Sequence, residues 1–155
     1  MLTFELNVFI DCPRGEVYDH ISNPINMIGL QPNLTTIDVL KQQKDDKGTI
    51  LRPFHTVQTF RWTGLRIYRN RIYSVIHLTK PKEELEFHVY GKPNIYVIFK
   101  YALTQDNDKR THIKQTVDFV QVNKILEGFV AKQANQSQRA VLSNLKVRLE
   151  ANSLH

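Results

Sequence analysis

The chain has 155 residues and a formal charge of +6, with 41% hydrophobic and 23% charged residues, six glycines and six prolines. That balance fits one globular domain, residues 1–155, able to build a core unaided, and excludes a disordered, low-complexity or collagen-like chain. The opening MLTFELNVFIDCPRGE meets Glu5 and Asp11 before any long apolar run, so no leader peptide or membrane span is expected. The lone Cys12 cannot close an internal disulfide and fits a reducing, cytoplasmic setting.

Thr3 to Asp11 alternates, with Phe4, Leu6, Val8 and Ile10 on one side, and predicts a half-buried strand. Pro13 suits the first position of a short helix over Arg14 to Ser22, and Asn23-Pro24 ends it before a second short helix over Ile25 to Leu30. Six strands then follow: Leu34 to Gln42, Thr49 to Trp62, Leu65 to Thr79, Glu84 to Tyr90, Ile95 to Gln105 and Arg110 to Gln121. Between them lie turn-like stretches such as Asp45-Asp46-Lys47-Gly48, Thr63-Gly64 and Gly91-Lys92-Pro93-Asn94. Asn123 to about Glu150 carries apolar residues at helical spacing and predicts one long helix. The expectation is an α+β fold in which a seven-stranded curved antiparallel sheet wraps around that helix.

Period-two counting assigns the faces of the strands. Leu85, Phe87 and Val89, then Val97, Phe99, Tyr101 and Leu103, then Ile113, Val117 and Phe119 face inward at odd positions; Phe54, Phe60, Trp62, Tyr68, Ile72, Ile76 and Leu78 do so at even ones. The same parity places the polar Gln58, Asn70, Ser74 and Gln115 inside. Buried polar groups without partners cost about 1–3 kcal/mol each. These four therefore bond one another, sit at a wet strand end, or line a cavity that meets a ligand. On the long helix, Leu126, Val130, Ala134, Ser137, Val141 and Leu145 would face the sheet, and the middle of that line is small enough to leave room.

From Lys47 to Lys82 there is no acid but eight lysines and arginines. Arg61, Arg69 and Arg71 share the outward parity, away from Trp62 and Tyr68. Sheet-type nucleic-acid sites need basic and aromatic groups on the same exposed face, so nucleic acid is not expected as a partner. An acidic partner or an anionic membrane surface stays open for this strip. His55, His77, His88 and His112 have outward parity, and the histidines lack metal-ligand spacing, so neither metal nor cofactor is expected. Glu5 and Asp118 also point outward, leaving no inward carboxylate for acid/base work. Cys12 reads as a small spacer rather than a reactive thiol.

The segment FIDCPRGEVYDHISNPINMIGLQPNLTTIDVL runs through a strand, a short helix, an Asn-Pro break and a second strand. It resembles the opening of the START-like (SRPBCC) superfamily, which includes birch pollen allergen, polyketide cyclases and coenzyme-Q-binding proteins. TKPKEELEFHV, and THIKQTVDFV before a long helix, are similar to that group's later strands and ending. The resemblance implies a helix-grip fold with a cavity for a hydrophobic small molecule such as a lipid, polyketide or quinone. Phe60, Trp62, Tyr68, Phe99, Tyr101, Phe119 and Val130 would supply apolar contact; Gln58, Asn70, Ser74, Gln115 and Ser137 would orient oxygen functions; Met27, Ile28 and Leu30 would form an entrance. Carriage without covalent chemistry is the first expectation. A cyclase or dehydratase using Tyr68 or Tyr101 is a second, and docking through the basic strip a third.

Overall fold

The alternation of the strands is what the fold is built on. In the computed structural model, residues 3–32, 34–62, 66–91 and 94–153 are described, with side chains for all but 58–62 and 66–70. The elements are β1 (Thr3–Ile10), α1 (Arg14–Ile21), a 3-10 turn (Pro24–Met27), β2 (Leu34–Val39), β3 (Gln43–Lys44), β4 (Ile50–Trp62), β5 (Arg66–Lys80), β6 (Glu84–Gly91), β7 (Ile95–Asn107), β8 (Arg110–Gln121) and α2 (Glu127–Ser153). The strands form one curved antiparallel sheet in the order β1-β8-β7-β6-β5-β4-β2, with β3 pairing β4.

Local departures from expectation have local causes. Pro13 is the N-cap of α1 rather than its first helical residue, since its ψ of 146° is extended. The second helix is a single 3-10 turn because Pro24 follows Asn23, whose side chain accepts from the Ile25 N–H, and Gly29 at φ +86° leaves the helical region. The second strand stops at Val39, and Gln43–Lys44 pair separately with β4. Asn123 holds a turn through Oδ1 to the Ile125 N–H and through O to the Leu126 N–H, so α2 begins at Glu127 and Leu126 precedes it. The expected turn residues Thr63, Gly64, Lys92 and Pro93 lie outside the described residues.

The inner face follows the predicted parity wherever side chains are described. Ile76, Leu85, Ile113 and Val117 are fully buried. The main core gathers these inner faces at one end of the sheet with Val17, Tyr18 and Ile21 of α1 and with Val141, Leu142, Leu145 and Leu149 of α2. A second, smaller cluster joins Val97, Val117 and Phe119 to Val130, Ala131 and Ala134 near the start of α2.

Hydrogen bonds staple the far half of α2 down. Asn144 Nδ2 donates to the Leu30 carbonyl at 2.8 Å, Arg148 donates to the carbonyls of Asn26 (2.6 Å) and Ile28 (2.8 Å), and Lys146 Nζ donates to that of Phe9 at 2.7 Å. Gly29 lies beneath this clamp at φ +86°, a conformation that strains any residue with a Cβ, and a Cβ there would also stand 2.7 Å from Arg148 Nη2 and oblige it to shift. Met27 and Leu30, expected at an entrance, are instead buried in the main core, and of that trio Ile28 alone is exposed. An element clamped by Arg148 and packed on Leu145 is part of the closed end, not a lid.

Candidate functional site

Between the sheet and the middle of α2 lies a buried polar cluster. Tyr101 on β7 and Gln115 on β8 are direct cross-strand partners, and their side chains converge on Gln138 of α2. Gln115 Nε2 donates to Gln138 Oε1 at 2.8 Å, and the Tyr101 hydroxyl donates to the same oxygen at 3.4 Å. Gln115 is 0% exposed, yet its Oε1 has no hydrogen-bond partner among the described residues. Thr56, on the inner face of β4, is a second buried residue whose hydroxyl lacks a partner among them. Burial holds the Tyr101 phenol far above its ordinary pKa, so it stays a neutral donor.

Of the residues expected to line a cavity, Tyr101 and Gln115 meet at Gln138, Phe99 and Phe119 pack with Val130 of α2, and Ser74 is buried on the inner face of β5, while Ser137 is half-exposed beside the buried Gln138. Gln58, Phe60, Trp62, Tyr68 and Asn70 have side chains outside those described, as do Arg61 and Arg69. Their backbones pair Gln58 with Asn70 and Phe60 with Tyr68 across β4 and β5. Sequence reasoning missed Gln138 and Thr56. Gln138 lies three residues before Val141 and four before Leu142, which is core spacing on a helix, and Thr56 has the same even parity as Phe54.

Along α2 the sheet-facing line changes character. Val141, Leu142, Leu145 and Leu149 are buried, whereas Val130, Ala131, Ala134 and Ser137 remain half-exposed. β4 and β5 reach beyond the row in which Tyr73, Tyr90, Tyr96 and Gln121 are aligned. The Trp62 end of β4, the Gly91 end of β6 and the start of α2 therefore lie at one end of the sheet, and α1 lies at the other.

The opposite face of the sheet holds a different assembly. Tyr73, Tyr90 and Tyr96 stack in a row with centroids 5.8 and 4.7 Å apart, and His55 approaches Tyr73 at 5.2 Å. Below them His88 pairs through Nδ1 with the Tyr96 hydroxyl (2.6 Å) and through Nε2 with Glu86 (2.9 Å), and the His77 ring lies 3.8 Å away. Burial and the Tyr90 hydroxyl push the Tyr96 pKa up to about 12. Two features of this face go beyond strand parity. His88 faces outward as expected but is buried under neighbouring rings, and Tyr73 shares the outer face with Arg71, whereas the side chains of Arg61, Trp62, Tyr68 and Arg69 lie outside those described. The tyrosine rings nevertheless turn their faces to one another rather than to a base.

The other candidates are accounted for by their surroundings. Cys12 is buried, its Sγ bonds Glu16 at 3.4 Å, and burial followed by the Glu16 carboxylate pushes its pKa up to about 12, which suppresses the thiolate. Asp19 pairs with Lys82, Glu5 with Lys114 at 3.4 Å and Asp118 with Lys100 at 3.5 Å. A solvent-open groove of about 450 Å³ between α1 and β4 contains Arg52, whose Nη1 donates to the Ser22 carbonyl at 2.8 Å; among the described residues none of the expected ligand residues lines it. Among the described residues no three metal-ligating side chains come together, and no helix is long and apolar enough to cross a membrane.

No protein-family profile matches the sequence, and no curated protein matches it. Solved structures do. The Zhui aromatase/cyclase of Streptomyces sp. R1128 aligns with a TM-score of 0.69 at 15% identity over 97% of each chain. A START superfamily protein of Mycobacterium smegmatis aligns at 0.71 and 11% identity, over 96% of this chain and 97% of that one. StfQ, a di-domain aromatase/cyclase of the steffimycin pathway, aligns at 0.71 and 10% identity over 97% of this chain and 46% of its own. At such identities the likeness concerns architecture, and with the sheet, the two short helical elements and the long closing helix in place, the chain has the START-like helix-grip fold.

Proposed function

We propose that this protein binds a hydrophobic small molecule bearing hydroxyl or carbonyl groups, in the space between the sheet and the first half of α2. The observation that carries this reading is the unpartnered Oε1 of Gln115, fully buried beside the Tyr101–Gln138 pair. An amide oxygen left so costs about 1–3 kcal/mol, and a ligand hydroxyl donating to it recovers that loss. The aromatic and aliphatic surround of Phe99, Phe119 and Val130 suits a ring system or an acyl chain. Carriage is favoured over catalysis because no carboxylate is among the buried described residues. The free buried thiol of Cys12 suits a cytoplasmic location.

A second reading rests on Tyr101. Two of the structural neighbours are named as aromatase/cyclases, and a phenol held neutral by burial can donate to a carbonyl that gains negative charge. Displacement of anilinonaphthalene sulfonate by dihydroxyanthraquinone separates the outcomes. Gln115→Leu is expected to weaken the quinone roughly tenfold without lowering the urea midpoint. Equal affinity in that variant removes Gln115 from the site. Turnover of an aromatic polyketide, abolished by Tyr101→Phe with binding retained, would establish the enzyme instead.

A further inference from the structure

Two of the three most exposed large apolar side chains among those described stand at the start of α2, the third being Val147 on its far half at 68%. Ile125 is 89% exposed and Phe129 60%. Ile125 stands in the turn that leads into α2, where the Leu126 N–H bonds to the Asn123 carbonyl, and Phe129 stands in the first turn of the helix. Neither belongs to the line of Val130, Ala131 and Ala134 that meets the sheet. Nor is Ile125 on a loose loop, because its N–H is held by Asn123 Oδ1 at 2.9 Å. A fixed, water-facing pair of this size in a chain with an otherwise well-formed core marks a contact surface.

What surrounds the pair indicates what covers it. Lys124 and Lys132 flank it and are exposed, against the half-buried Glu127. The strand register brings the backbone of Arg61, Arg66 and Arg69, from the acid-free stretch Lys47 to Lys82, to the same end of the sheet. At that end too the sheet–helix space is least closed, because Val130, Ala134 and Ser137 keep partial exposure. Exposed apolar side chains with lysines beside them in the chain fit a lipid–water interface carrying negative headgroups, which takes the apolar groups into its acyl boundary and the cations at its surface.

We propose that the Ile125/Phe129 tip docks reversibly on an anionic lipid bilayer, bringing the mouth of the ligand space to the membrane from which a hydrophobic ligand is drawn or to which it is returned. This rests on the binding function proposed above for its purpose, but not for its chemistry. It also moves the expected membrane contact from the outer strip of Arg61, Arg69 and Arg71 to the beginning of α2.

Flotation of the full chain with phosphatidylcholine vesicles, with and without phosphatidylglycerol, tests the proposal. The chain should rise with the anionic vesicles and be largely released by high salt. Ile125→Ser combined with Phe129→Ser should cut the bound fraction roughly tenfold, and Lys124→Gln with Lys132→Gln should cut it less and only on anionic vesicles. Anilinonaphthalene sulfonate binding measured without vesicles should be unchanged in both variants, because the replaced side chains face away from the interior. A chain that floats but takes no probe would leave the membrane tip standing and remove the ligand reading. Wild-type protein that does not float, or a double serine variant that floats equally well, would overturn the proposal. So would equilibrium sedimentation showing a dimer that the serine changes dissolve while no form floats, since a second copy would then cover the pair.

Discussion

The two ends of the sheet–helix layer use the same elements for different purposes. At the closed end, Val141, Leu142, Leu145 and Leu149 are sealed against β1, β8 and α1, and Asn144, Lys146 and Arg148 tie α2 to backbone carbonyls. At the other end, the helix presents Val130, Ala131 and Ala134, small or half-exposed, to Val97, Val117 and Phe119. Gln115, Gln138 and Tyr101 sit where the two regimes meet. One helix is thus anchored along one half and, on the function proposed above, is the roof of the ligand site along the other. Stability should concentrate at the anchor, leaving the roof free to accept a guest at small cost.

The sharpest way to break this contrast is a matched pair of truncations. Leu145→Ala, at a site 1% exposed, should cost about 2–5 kcal/mol because the clamped surroundings cannot collapse into the cavity. Val130→Ala removes fewer atoms from a half-exposed site and should cost well under half as much. Urea unfolding of both variants measures the ratio. Equal losses would mean that the two halves of α2 are packed alike.

The polar junction gives the next effect. Gln138→Leu removes the acceptor shared by Gln115 Nε2 and the Tyr101 hydroxyl, leaving both buried donors unsatisfied at a cost of about 1–3 kcal/mol. Gln115→Leu deletes an already unpartnered oxygen along with its amide, and should be close to neutral in the same assay. If the order were reversed, the cluster would be a structural fixture whose orphan oxygen carries no signal of a ligand.

Strand faces were legible because side chains alternate whatever the tertiary context: Ser74 and Gln115 are inward as parity requires. The helix was harder. A line drawn through Ser137 passes one residue from Gln138, and only packing shows which of the two is buried. The outer cluster was not legible, since parity says only that Tyr73, Tyr90, Tyr96 and His88 face away from the helix. It is the cross-strand register, with its irregularities near Lys80 and Tyr96, that sets the tyrosines in one row and covers His88. The closed end depends on contacts such as Arg148 with Asn26, 122 positions apart in the chain, which no local pattern encodes.

The smallest effect belongs to the anchor and separates it from the roof by pH. His20, at the end of α1, accepts a hydrogen bond at 3.3 Å from Arg148 Nη1, and burial followed by the Arg148 charge lowers its pKa below the ordinary 6.5. In acid the unfolded chain takes a proton that the folded chain refuses, so it binds more protons and stability rises with pH across this window. Stability should therefore fall as pH drops through 6.5 and level off below the folded-state pKa of His20. His77, lowered by burial and then by His88, adds a contribution of the same sign from the outer face. His20→Gln keeps a neutral acceptor for Arg148 and should flatten the profile in part, leaving the share due to His77; His77→Gln should remove that share. Urea midpoints between mildly acidic and neutral pH measure both. A wild-type slope in His20→Gln would show that α1 does not hold this ring neutral, and that the clamp of Arg148 on the carbonyls of Asn26 and Ile28 closes this end without help from the histidine.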